Sequence, residues 1–314
     1  MITSRKIWAR QLLVFSCAIM VFAGCSKPLG TSDHRTTEKS NYKNSKILTI
    51  GMPTDMLTFD IHNHNSISTE AIHINMFSYL FKRSSDMEIK PDLVESYKVI
   101  DDTTWEFKLK KNVTFHSGDP LTAADVKYTL ERVAKDKSLR EYPNYKQIIE
   151  VRMIDNLRFQ ILTDGPQPAL LNRLSSLGSG ILPKNYIERN GFDYFLTHPV
   201  GSGPFKFVEW VHDDYLTLES YNKFYGGRVK AWDRVVFRKI PDDRSRIIDL
   251  LAGGSDIAVN IPPDLVHIIN AQEDVTTLTT DNEMSLYGVK KSINFKPRTD
   301  EMIYVPEITK KNRK

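Results

Sequence analysis

The side chains best equipped for chemistry crowd into one polar stretch and its neighbour. Asp60-Ile61-His62-Asn63-His64-Asn65-Ser66 carries two imidazoles one residue apart, and His73 follows nine residues later. Two such histidines can converge within a loop, and three imidazoles would begin a zinc or nickel centre. No Asp/Glu or Cys set completes that centre at a recognisable spacing, so the expectation is neither metal nor cofactor. Two other readings of His62, Asn63 and His64 stay open: polar lining of a ligand cleft, or a plain solvated loop. Ser, His and Asp are plentiful, yet no nucleophile elbow or paired-carboxylate motif organises them, so no enzyme is expected. His34 stands alone in a polar run and reads as solvated.

The elements around this loop follow from periodicity. Ile47-Leu48-Thr49-Ile50-Gly51 is a short apolar run, a buried strand leading into irregular chain from Pro53 to Asp60. Glu70 to Phe81 reads as an amphipathic helix with Ile72, Met76, Phe77 and Leu80 inward. Further on, Trp105, Phe107 and Leu109 alternate with Glu106, Lys108 and Lys110, the pattern of a half-buried strand. Ser117-Gly118-Asp119-Pro120 makes a turn, and Thr122 with Asp125 forms a capping box before Val126, Leu130 and Val133 at helical spacing. A hairpin around Asp155-Asn156 follows, then a short helix over Pro168–Leu177. Strands follow over Phe205–Trp210, Tyr215–Glu219 and Arg234–Ile240. A helix over Pro241–Leu251 is expected to turn Arg244 to Arg246 to solvent and to pack Ile247, Ile248, Leu250 and Leu251.

The run from Trp105 through Phe115-His116-x-Gly118-x-Pro120-Leu121-Thr122-Ala123-x-Asp125-Val126 to Glu131-Arg132 resembles the signature of the extracytoplasmic solute-binding proteins of peptide-type ABC importers. Five further stretches are similar to segments of that family: Lys90 to Tyr97, Ile181-Leu182-Pro183-Lys184, His198 to Phe205, Asn222 to Gly227, and Ala252 to Val259. A phosphate-loop reading of the glycines at 201 and 203 fails because no Lys-Ser/Thr follows, so they are read as allowing unusual backbone. Tyr97 replaces an aromatic of the family and is expected in the core.

The resemblance implies an α/β, periplasmic-binding-protein-like fold (type II, class C). Its first lobe, with mixed β-sheets and flanking helices, would span residues 46–270 and include an extra subdomain over roughly 83–195. It places the loop after the first strand near the ligand cleft, which makes Thr54, Asp55, His62, Asn63 and His64 candidate ligand contacts. The implied partners are a peptide or other small solute and the permease subunits of an importer, with the binding protein itself a monomer. After about Asp274 the chain departs from the family. Residues 284–314 resemble the C-terminal return and tail, so 271–283 reads as the junction of an internal deletion and the second lobe as largely absent.

At the other end, Arg5, Lys6 and Arg10 precede the mostly apolar Gln11–Ala23, too short to span a bilayer, as in an export signal over residues 1–25. Phe22-Ala23-Gly24-Cys25 resembles a bacterial lipobox. This implies acylation of Cys25 and a lipid anchor on the outer side of the cell membrane; a plain secretory signal is the alternative. Residues 26–45 are polar with little to bury and read as a disordered tether. The only cysteines are Cys17 and Cys25, so the body has no thiol for a disulfide or a metal. The formal charge is +4, of which Arg5, Lys6 and Arg10 supply three, leaving a nearly neutral body with no call on nucleic acid.

Overall fold

A computed structural model of the protein describes residues 45–84, 88–279, 286–294 and 309–310. The signal segment, Cys25 and the tether up to residue 44 lie outside the described residues, as do residues 280–285 of the junction and most of the tail.

The first strand is apolar along its length because it is covered on both faces. β1 (Ile47–Met52) is buried from Leu48 onward except for the half-covered Thr49, and it pairs in parallel with β10 (Arg234–Lys239) and β11 (Ile257–Ala258). β9 (Tyr215–Ser220) and β8 (Phe205–Val211) extend the sheet antiparallel beyond β10. β13 (Leu286–Lys290) and β12 (Val275–Thr279) extend it beyond β11. The order is β12-β13-β11-β1-β10-β9-β8, a mixed sheet with its parallel part at the centre.

A second sheet is wholly antiparallel, in the order β4 (Val94–Asp101), β5 (Thr104–Leu109), β7 (Arg158–Thr163), β6 (Ile148–Met153). The alternation read in the sequence is realised here. Phe107 and Leu109 are buried, while Glu106 meets Lys98 and Gln160 on the outer face. Phe107 stacks on Phe159 across the strands at 5.3 Å between centroids. Tyr97 departs from expectation. It lies on the edge strand, 44% exposed, with its ring against Trp105 and Phe107 rather than inside the core.

The inner face of this sheet is covered by α2 (Ala123–Lys135), whose Val126, Leu130 and Val133 are fully buried. Both halves of the expected capping box form: Ala124 N donates to Thr122 Oγ1 at 3.3 Å, and Thr122 N to Asp125 Oδ2 at 2.8 Å. Such a cap is worth about 1 kcal/mol. Asp125 also accepts from Lys184 N at 2.9 Å, which ties α2 to the start of α3 (Lys184–Asn190).

The two glycine-bearing motifs meet in space. Gly201 N donates to His116 Nδ1 at 3.2 Å, and His116 Nε2 donates to the Gly203 carbonyl at 3.0 Å. Burial lowers the His116 pKa to about 4, with Lys206 adding to the effect and the Gly203 carbonyl opposing it. Both ring nitrogens are therefore used by a neutral imidazole. Gly201 and Gly203 are not there for unusual backbone, as neither has positive φ. They are there for close approach: a Cβ on Gly201 would lie 2.0 Å from the Met76 carbonyl oxygen, and one on Gly203 would lie 2.7 Å from the Met76 carbonyl carbon.

That contact also ends α1 (Ile67–Met76), which starts and stops earlier than the predicted Glu70–Phe81. Ser66 caps it by accepting from Thr69 N. At the other end Gly203 N donates to the Met76 carbonyl at 2.8 Å, and Phe77 is already extended. The helix is not amphipathic in the expected sense: Thr69, Glu70, Ala71, Ile72, His73, Asn75 and Met76 are all buried.

Candidate functional site

The loop between β1 and α1 was expected to offer its polar side chains to a ligand. The structure divides them. Thr54 and Asn63 are exposed, Asp55 is half-buried, and His62 and His64 are inside. Asp55 is fully engaged with its own fold. Its carboxylate accepts from Trp210 Nε1 at 3.1 and 3.2 Å and from Asp213 N at 2.8 Å, which fastens the loop to the β8–β9 turn.

His62 belongs to a charge-paired cluster. Arg132, on α2, donates in bidentate fashion to Asp60 at 2.8 and 2.7 Å, and its Nη1 also lies 2.6 Å from His62 Nδ1. The nitrogen facing a guanidinium can only accept, so His62 is neutral here. Burial and the Arg132 charge together lower its pKa to about 3. The guanidinium also lies 4.3 Å from the centroid of the Phe192 ring. Cation and anion thus pair and the imidazole accepts through Nδ1, while Glu141 N donates to the His62 carbonyl at 3.1 Å to hold the loop.

Two residues on, His64 enters a cluster of another kind. His64 Nε2 lies 3.1 Å from His73 Nδ1 and 3.6 Å from Glu70 Oε2, and His73 Nδ1 lies 3.8 Å from the same carboxylate oxygen. His64 and Glu70 are 1% exposed and His73 is fully buried. The outer atoms of His73 and Glu70 are held from behind. His73 Nε2 donates to the Thr58 carbonyl at 2.9 Å, and the Tyr79 hydroxyl donates to Glu70 Oε1 at 2.5 Å. Burial lowers the His64 pKa to about 4 and holds that of His73 well below the usual imidazole range, so both are neutral near pH 7. The sequence offered no carboxylate for these histidines; the structure supplies Glu70. Its signal was present as Glu70-x-x-His73, an i, i+3 pair on one helix face, and was hidden by reading Glu70 as the start of the helix rather than its interior.

A third feature was missed outright. Arg246, expected in solvent on α5 (Asp243–Leu251), is fully buried, while Ile248, expected to pack, is 63% exposed. The Arg246 guanidinium donates to the Val259, Ile240 and Asn260 carbonyls at 2.8 Å each, to Pro241 at 3.3 Å, and to Asp243 at 2.6 Å. These acceptors are the chain just past the carboxyl ends of β10 and β11. In open α/β sheets ligands gather outside the carboxyl ends of parallel strands. At that edge Thr54, Leu57 (61% exposed) and Asn260 face solvent above side chains that are internally satisfied. The candidate ligand surface is therefore this edge, and of the predicted contacts Thr54 is the one it retains together with an exposed side chain.

A central parallel trio with an exposed carboxyl edge, accompanied by a separate antiparallel sheet, is an α/β architecture shared with solute-binding proteins. The family model for bacterial extracellular solute-binding proteins, family 5 middle, matches residues 88–300, and the chain belongs to that family. It is 25% identical over 255 residues to the glutathione-binding protein GsiB of Salmonella paratyphi A, covering 81% of this chain and 49% of that one. It superposes on NikZ from Campylobacter jejuni, solved in complex with Ni(L-His), with a TM-score of 0.68 and 27% identity over 74% of this chain and 46% of NikZ. The oligopeptide-binding protein AppA from Bacillus subtilis, in complex with a nonapeptide, gives 0.68 and 26% over 74% and 47%. The chain spans about half the length of the relatives it matches. The fold is thus periplasmic-binding-protein-like. The family match includes residues 271–283.

Proposed function

We propose that this chain is the first-lobe part of a substrate-binding protein serving a bacterial ABC importer of the peptide class, and that it catalyses no reaction. The observation that carries the reading is the carboxyl edge of β1, β10 and β11, where Thr54, Leu57 and Asn260 are exposed over a closed underside. Ligands of open α/β sheets bind outside the carboxyl ends of the parallel strands, where loop residues such as these are free to contact them. AppA and NikZ differ in what they hold, a nonapeptide in one and Ni(L-His) in the other, so lobe architecture alone does not set the solute.

Receptors of this type enclose solute between two lobes that close about a hinge. A single lobe buries only one side of the ligand, and the remaining contacts must outweigh the entropy lost on association. The 314-residue chain is accordingly a weak binder. Thermal shift and calorimetry of the full chain against di- and tripeptides, glutathione, nickel with histidine, and haem test this. The expected result is a cooperative melt with no solute bound tighter than about 100 µM, equivalent to roughly 5 kcal/mol. Low-micromolar binding of any peptide would overturn the impairment, and peptide cleavage in the same tubes would overturn the non-enzymatic reading.

Membrane attachment through acylated Cys25 belongs to the same proposal and places the lobe on the outer side of the membrane. Intact-mass spectrometry of the protein from a bacterial host checks it. A chain beginning at Cys25 with added acyl mass is the expected outcome, and an unmodified chain cut elsewhere would remove the anchor.

A further inference from the structure

We infer that His64, Glu70 and His73 form a binding site for a single divalent transition metal ion, zinc by the character of its ligands. The site lies beneath the loop that leads from β1 to α1 and is distinct from the carboxyl edge proposed for solute.

The geometry argues for this beyond mere proximity. His64 Nε2, His73 Nδ1 and Glu70 Oε2 form a triangle with sides of 3.1, 3.6 and 3.8 Å. A point equidistant from its three corners lies about 2.0 Å from each, the length of a zinc bond to imidazole nitrogen or carboxylate oxygen. The three donor atoms thus need little movement to reach ligand distance from one ion. Two imidazoles and one carboxylate suit zinc and leave a position for a water molecule.

The supporting atoms fit as well. A metal-bound histidine usually gives its other N–H to a carbonyl or carboxylate, which fixes the tautomer and aims the lone pair. His73 does so. A carbonyl can only accept, so Nε2 carries the proton for Thr58, and the Nδ1 lone pair points into the triangle. Glu70 is aimed likewise, with Oε1 held by the Tyr79 hydroxyl and Oε2 toward the histidines. Without metal, His64 Nε2–H donates to His73 Nδ1. On metal binding that proton moves to His64 Nδ1, and both inner nitrogens become ligands. Exposed Asn63 and Asn65 flank His64 in the loop that carries this ligand.

The three ligands come from two pieces of chain, His64 from the loop and Glu70 with His73 from α1. The ion would therefore staple the loop to the helix and stabilise the folded state in proportion to the logarithm of its concentration over its dissociation constant.

The experiment titrates the full chain, stripped with chelator, with zinc alone by calorimetry and thermal shift. One equivalent should bind with a dissociation constant of about 1 µM or tighter and raise the melting temperature. Glu70→Gln, which keeps the size of the side chain, should weaken binding about a hundredfold. Tyr79→Phe, behind the carboxylate, should weaken it about tenfold. His267→Ala, an exposed histidine elsewhere, should change nothing. No zinc binding by the folded wild-type chain, or binding that Glu70→Gln leaves intact, overturns the site. If the variants do not fold, X-ray absorption of the zinc-loaded wild-type chain decides. Two imidazole nitrogens with oxygen at about 2.0 Å support the assignment, and a shell of oxygen alone overturns it.

Discussion

His62 and His64 are two residues apart in the same loop, both buried, both neutral, and they sit in opposite kinds of polar cluster. Around His62 opposite charges are paired: the Arg132 guanidinium spans the Asp60 carboxylate and reaches the imidazole Nδ1. Around His64 three electron-pair donors converge on a common centre, with protons available to only part of the set. The first arrangement completes a fold; the second presents a ligand field. Burial, residue type and depressed pKa do not separate them. What separates them is whether the facing atoms are complementary or alike.

The largest effect expected from breaking this contrast is at Arg132. Arg132→Met strands the Asp60 carboxylate inside the protein, and losing one partner of such a pair costs about 3 kcal/mol. Urea unfolding measures it, and the double variant Asp60→Leu with Arg132→Met should regain most of the loss. A cost under about 1 kcal/mol for the single variant would mean that the His62 cluster is not the closed unit described here.

His116 provides a yardstick for a closed imidazole and the next largest effect. Its pKa in the folded protein, about 4, lies below the ordinary 6.5. The unfolded chain therefore takes up the proton first. The contribution of His116 to stability is fully present above pH 6.5 and is lost as the pH falls toward 4. Over that window His116→Gln should lose about 2 kcal/mol less stability than the wild type, read from unfolding midpoints at each pH. Parallel curves for the two proteins would refute the assignment of a neutral, doubly hydrogen-bonded ring.

The smallest effect is the most diagnostic. In metal-free protein Glu70→Gln should change stability by less than about 1 kcal/mol, because an amide can still accept from Tyr79 and can donate toward the imidazoles. The same isosteric change at Asp60 removes half of an ion pair and should cost more, measured in the same unfolding series. Equal losses at the two carboxylates would erase the distinction between the clusters.

Much of the framework was legible in the sequence because it is local. The strand of Trp105, Phe107 and Leu109, the Thr122–Asp125 capping box and the hairpin at Asp155-Asn156 follow from alternation and spacing over a few residues. The site was less legible because its parts are joined by tertiary contacts. The termination of α1 at Met76 is set by Gly203, more than a hundred residues away in sequence. Tyr97 keeps its aromatic stack but sits on an edge strand, which no local pattern records. The candidate contacts Thr54, Asp55, His62, Asn63 and His64 share one loop, yet only folding decides which face solvent. Arg246 shows the limit most plainly, since a charged residue beside Arg244 reads as solvated until five acceptors are found around it.

That buried arginine also governs how the carboxyl edge opens. Its guanidinium bonds to the chain just past the ends of β10 and β11, the two strands that flank β1, while its backbone belongs to α5, so none of the three can detach alone. In hydrogen–deuterium exchange the amides of α5 and those around Val259 and Ile261 should then exchange as one cooperative unit rather than by fraying in turn. The carboxyl edge would in this way keep a rigid floor while the exposed side chains above it remain free to adapt.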